Sequence, residues 1–125
     1  MLTHVMVGTD DLEKSKQFYD AVLGALGIDE GKRDKDRYFY RSGGLAFGIN
    51  KPIDGEPTTH ANGGTIGFAA ANPEQVHAFH EAGLAAGGST CEDPPGLRAR
   101  GSGGYYLAYL RDPDGNKICA LHWVK

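Results

Sequence analysis

The chain has 125 residues, 40% of them hydrophobic and 23% charged, and a net charge of −3. That is the size and composition of one ordinary folded domain, which excludes wholesale disorder. Lys and Arg are interspersed with acids and form no run, so no nucleic-acid partner is expected; no apolar run approaches the ~20 residues of a membrane span, so no membrane partner is expected either.

The N-terminus reads as the start of a strand and lacks the basic and long apolar regions of a signal peptide. The two cysteines, Cys91 and Cys119, show no CxxC spacing. A sulfur-only structural zinc site is excluded by that count, and two reduced thiols in a cytoplasmic protein are expected. Glycine is the outlier, at 19 residues. The pairs Gly43-Gly44, Gly63-Gly64, Gly87-Gly88 and Gly103-Gly104 mark tight turns between many short elements.

In chain order, Leu2 to Gly8 alternates as a strand, with Val5 and Val7 on one face and His4 and Met6 on the other. Thr9, Asp10 and Asp11 offer N-cap oxygens for a helix over Leu12 to Leu23, with Leu12, Phe18, Tyr19, Val22 and Leu23 as its apolar stripe. Three short strands are predicted near Ile28 to Lys32, Arg37 to Arg41 and Leu45 to Asn50. Lys51 to Asn62 reads as a connector. The pattern then restarts with a strand over Thr65 to Ala71 and a helix over Glu74 to Ala86, capped by Asn72 with Pro73 at its first position. A strand near Ser89 to Glu92 and a Pro/Gly-rich loop over Asp93 to Gly104 follow. The last pair is a hairpin: Tyr105 to Arg111, a turn at Asp112-Pro113-Asp114-Gly115, and Asn116 to Val124.

The restart is an internal repeat. A shift of 61 positions places Glu13 on Glu74, Phe18 on Phe79, Ala21 on Ala82, Leu23 on Leu84, Ala25 on Ala86 and Gly27 on Gly88. The expected fold class is α+β: a single domain over residues 1–125, with module 1 at about 1–52 and module 2 at about 63–125. Each module is βαβββ, and the two form a cupped, mainly antiparallel sheet with the helices outside.

The run His4-Val5-Met6-Val7 leading to Leu12 and Phe18-Tyr19, and above all Arg111-Asp112-Pro113-Asp114-Gly115-Asn116-Lys117-Ile118, resemble the vicinal oxygen chelate superfamily of glyoxalase I, bleomycin-resistance proteins and extradiol dioxygenases. The resemblance covers nearly the whole chain. It implies a small organic ligand held in the cup and a homodimer. For metal-using members it also implies a divalent ion held by His or Gln from the first strand, Glu from the fourth, His from the fifth and Glu from the last.

Carried over position by position, His4 matches the first ligand. Thr65 stands where a second histidine is implied, Cys119 where the last glutamate is, and Phe47 or Gly48 at the remaining place. His4 and Cys119 are the metal-donor candidates, and His60 lies five residues before Thr65. The cofactor expectation is therefore none or a divalent metal ion. The functional expectation is a small-molecule binder with a degenerate metal site. The alternative is a metal-dependent lyase, similar to lactoylglutathione lyase, or a dioxygenase rebuilt around His4.

The expected ligand pocket comprises His4, Met6, Thr65, Gly67, Tyr106, Cys119 and Arg98. Tyr106 alternates with Tyr105 and Tyr109, so one set faces the cup and the other packs on a helix. Arg98 and Arg100 stand where they would attract an anion at the cup mouth. His77 and His80 are read as structural, and Leu2 and Trp123 as candidates for the dimer contact.

Overall fold

The computed structural model describes residues 1–125 and contains two copies of one motif. The first copy comprises β1 (His4–Gly8), α1 (Leu12–Gly24), β2 (Lys32–Asp34), β3 (Arg37–Ser42) and β4 (Leu45–Asn50). The second comprises β5 (Ile66–Ala69), α2 (Pro73–Ala85), β6 (Ser89–Arg100), β7 (Gly103–Arg111) and β8 (Lys117–Val124). Each copy makes a four-stranded sheet, in the order β1-β4-β3-β2 and β5-β8-β7-β6. In both, the first strand pairs parallel with the last and the other pairs are antiparallel.

The shift of 61 holds at the helix starts. The Asp11 carboxylate accepts from the Lys14 N–H and the Asn72 side chain from the Gln75 N–H, so each helix is capped by a short polar side chain. Phe18 and Phe79 are both fully buried. Both helices lie against a single core of 16 buried residues drawn from both modules, and Phe47 of β4 meets Phe68 of β5 edge to face at 5.1 Å. The helices also approach closely. A Cβ on Gly83 would stand 2.3 Å from Leu110 Cδ1 and 3.1 Å from Val22 Cγ1, so the glycine is what admits α1.

Two local expectations are corrected, and one repeat pair diverges. The second strand forms at Lys32–Asp34 instead of Ile28 to Lys32. The Ile28 N–H closes the end of α1 on the Leu23 carbonyl, and the Gly31 N–H is held by Asp20, so this stretch is committed to the helix terminus. The stretch after Glu92 is no loop: β6 runs on to Arg100, with its register broken between Cys91 and Gly96. Pro94 and Pro95 fall inside that break on an edge strand, where a missing N–H leaves no partner unsatisfied. Finally, Leu84 is 41% exposed whereas its repeat mate Leu23 is fully buried, because the second helix turns Gly83 inward.

The β7–β8 turn fastens the second module to the first. The Tyr19 hydroxyl, in α1, donates to Asp112 Oδ2 at 2.6 Å, and Asn116 Nδ2 donates to the same carboxylate and to the Gly8 carbonyl. The Asp10 N–H donates to Asp114 at 2.9 Å. Asp112 also receives the N–H groups of Asp114 and Asn116. Burial pushes its carboxyl above the usual range, while these donors pull it back down.

Candidate functional site

In a strand pair, residues in register share a face. In the first sheet, Val7, Tyr38, Tyr40, Phe47 and Ile49 pack toward the helices, so the register assigns the opposite face to His4, Met6, Ala46, Gly48, Phe39 and their neighbours. In the second sheet, Ile66, Phe68, Ala108, Leu110, Ile118 and Ala120 pack inward. The face without a helix carries Gly67, Cys119, Leu121 and Trp123, with Tyr105, Leu107 and Tyr109 beside them.

His4 is exposed, and its Nδ1 lies 2.9 Å from the Thr3 hydroxyl. Met6 folds over Gly48: a Cβ there would meet the Met6 sulfur at 2.4 Å and the Phe39 ring at 2.9 Å. Gly67 stands directly opposite Cys119. Thr65 immediately precedes β5 and is exposed. Met6 and Thr65 line one groove of about 160 Å³ between the two modules, together with Val7, Ile66, His60 and Lys117. His60 is exposed and stands against Gly115. The connector also covers one end of the first sheet's open face, since Thr58 and Pro52 occupy the space beside Gly8.

Tyr106 is turned away from this face. It is in register with His122, and its hydroxyl lies 2.6 Å from His77 Nε2 on α2. Of the two tyrosine sets, Tyr105 and Tyr109 face the open side. Arg98 is in register with Tyr105 and donates to the Gly96 and Asp93 carbonyls, which braces the break in β6.

The donor set does not fit a divalent ion. The register places Met6, Gly48, Gly67 and Cys119 at corresponding positions on the helix-free faces of the two modules. Two of these have no side chain. Cys119 is 5% exposed, and burial pushes its thiol up to about 11, against a downward pull from Lys117. Nowhere in the chain do three or more His, Cys, Asp or Glu side chains gather as a metal would require.

Three features of these faces escape a motif-based reading. Arg37 and Arg41 both lie over the Phe39 ring, at 5.6 Å and 5.3 Å from its centroid. Lys117 pairs with Glu92 across the second sheet, and its ammonium sits 4.8 Å from the Tyr109 ring centroid. Tyr105 and Trp123 form an aromatic pair with centroids 4.4 Å apart. The first was visible in the alternation Arg37-Tyr38-Phe39-Tyr40-Arg41. The second depends on the left-handed Glu92 in the β6 irregularity, with φ 59, which no periodicity signals.

Two βαβββ modules packed through one core are the architecture of the glyoxalase type. The chain belongs to the Glyoxalase/Bleomycin resistance protein/Dioxygenase superfamily, whose model matches residues 1–120. A glyoxalase/bleomycin resistance protein from Albidiferax ferrireducens T118, known as a crystal structure, is 66% identical, with a TM-score of 0.93 over 98% of each chain. The lactoylglutathione lyase of Haemophilus influenzae is 26% identical over 94% of this chain and 88% of that protein. A probable lactoylglutathione lyase of Vibrio cholerae is 26% identical over 94% of this chain and 86% of that protein. No helix is long and apolar enough to cross a membrane.

Proposed function

We propose that this chain binds a small organic molecule against the helix-free faces of its sheets and does so without a divalent metal at His4. One observation carries the reading: beside His4, the positions that the resemblance assigns to metal ligands hold Thr65, Phe47 or Gly48, and Cys119, whose buried thiol is pushed up to about 11. His4, Met6, Thr65, Gly67, Cys119 and Arg98 belong to the proposed site; Tyr106 does not. The proposed assembly is a homodimer in the cytoplasm. The groove at Met6 and Thr65, at about 160 Å³, is smaller than the ~300–1,000 Å³ of ordinary ligand pockets, so a second copy completes the enclosure. Sedimentation at micromolar concentration tests this: a 13.4 kDa species at every concentration would refute the dimer.

The likeness to lactoylglutathione lyases favours a second reading, a metal-dependent lyase rebuilt around His4. One experiment separates the two. The protein is purified without chelator, its metal content is measured, and Ni²⁺, Zn²⁺, Mn²⁺ and Fe²⁺ are added in a thermal-shift assay. A ligand ~100-fold above its dissociation constant stabilises by about 2.7 kcal/mol, which is easily seen. The binder reading expects neither stoichiometric metal nor a shift. Bound metal together with a shift that disappears in His4→Ala would establish the lyase reading instead.

A further inference from the structure

The chain is acidic, with 16 Asp and Glu against 13 Lys and Arg, yet its helix-free sheet faces are cationic. The first sheet places Lys32, Arg37 and Arg41 on that side, in register with or next to Phe39. The second places Arg98, Arg100 and Lys117 there, beside Tyr105 and Tyr109. Arg111 shares their parity; its guanidinium is held by the Gly115 carbonyl, as that of Arg98 is by the Gly96 and Asp93 carbonyls, so both add charge to this side from fixed positions. Against these stand Asp34 and Glu92, and both are already occupied: Asp34 by Arg37 at 3.9 Å and Glu92 by Lys117. Lys32, Arg41, Arg98 and Arg100 make no ion pair. Asp93 also lies on β6, within its irregular stretch; the other acids lie on the helices and on the turns and loops between elements, so the helix-free faces keep more cations than acids.

Between these cations the surface is apolar and aromatic. Met6 and Phe39 floor the first face, and Leu107, Leu121 and the Tyr105–Trp123 pair floor the second. Trp123 is 61% exposed. Arg41 already rests on the Phe39 ring and Arg100 Nη1 on the Tyr105 hydroxyl, 3.2 Å away, so their planar forks are held at the edges of these floors. Such an arrangement receives an apolar body on the floor and an anionic group at the rim. A guanidinium binds a carboxylate through two parallel bonds, and a local positive field on an acidic protein gathers anions and repels cations.

We propose that the ligand is an organic anion: an apolar, ring-bearing body carrying a carboxylate. This inference rests on the binding reading above and adds the charge of the ligand to it. The test uses three probes with one body: 4-phenylbutyrate, its amide, and 4-phenylbutyltrimethylammonium. Binding is measured by calorimetry and by the emission of Trp123, the single tryptophan. The acid is expected to bind about tenfold or more tightly than the amide, the effect of one charge-assisted hydrogen bond. That preference should shrink as salt rises from about 50 to about 500 mM, because exposed charges are screened. Arg41→Gln should weaken the acid several-fold while leaving the amide unchanged, which also shows that the variant is folded. Equal affinity for all three probes, or a preference for the ammonium, overturns the assignment of charge and leaves the binding reading standing. Binding of none of them overturns both.

Discussion

The hydroxyl of Tyr19 is the sharpest place to test how the two modules are held together. Tyr19→Phe removes one oxygen and leaves the ring, which packs edge to face on Phe18 at 5.0 Å and against Phe47 at 4.8 Å. Tyr19 is fully buried and Asp112 is 4% exposed, so water cannot replace the lost donor. Asp112 keeps its bonds from Asn116 and Asp114 and remains partly satisfied. The loss is therefore that of one charge-assisted hydrogen bond, about 1.5–3 kcal/mol, or about 5–10 °C in the melting midpoint of a domain this size.

The pH dependence is a second signature. The folded Asp112 carboxyl sits above its ordinary value because burial disfavours the charge, so its contribution is most favourable at low pH and is lost as pH rises through the folded value. Removing the Tyr19 donor raises that value further. The penalty of the substitution should then be larger at pH 7 than near pH 4, because acid converts the bond toward a neutral one, worth about 1 kcal/mol. Urea unfolding at both pH values measures it. A penalty below about 0.5 kcal/mol at pH 7, or one that grows toward acid, would refute the clamp.

Three further outcomes follow from the same structure. Gly83→Ala should destabilise by about 1–3 kcal/mol, because overpacking against Leu110 and Val22 exceeds the ~1 kcal/mol gain in helix propensity; Gly24→Ala, with open space around it, should be neutral or slightly stabilising in the same melts. Asp20→Asn should cost about 1–3 kcal/mol at neutral pH. Burial raises the Asp20 carboxyl, but the bonds from the Gly31 N–H, Lys16 and Tyr40 outweigh it and hold it low, so the stability it supplies is present above the unfolded value and should fade as pH falls below about 4. The Cys119 thiol, pushed up to about 11 by burial, should resist a disulfide reagent at pH 8 in the folded protein and react once the chain is unfolded; rapid reaction of both thiols in the native state would contradict its burial.

The fold was legible because its signals are local. Helix caps at Asp11 and Asn72, the alternation of Leu45 to Asn50, and the Asp-Gly turn each act within a few residues, and their repetition at a spacing of 61 gave the topology. The errors fell where a tertiary contact overrides a local one. Ile28 has strand propensity but closes α1 on Leu23. Pro94 and Pro95 read as loop residues but sit in an edge-strand irregularity that Arg98 braces from the side. For the site, period-2 alternation correctly put Met6 and Cys119 on helix-free faces, yet parity alone left two choices for the tyrosines of β7. His77, on a different element, decides that Tyr106 faces the helix.

The residues that most clearly mark the family are thus structural. Arg111 holds the Gly115 carbonyl, Asp112 takes the Tyr19 hydroxyl, and Asn116 reaches the Gly8 carbonyl. None of the three presents a reactive atom to the open faces. In this chain a motif that fastens one module to the other is constrained whatever the pocket holds, because removing it leaves buried polar groups without partners. The positions proposed to meet the ligand are not part of that clamp: Met6, Gly48, Gly67 and Cys119 lie on the helix-free faces, away from the helix-side packing. That asymmetry explains why the architecture could be read from one sequence while the ligand had to be argued from the charges and rings surrounding those positions.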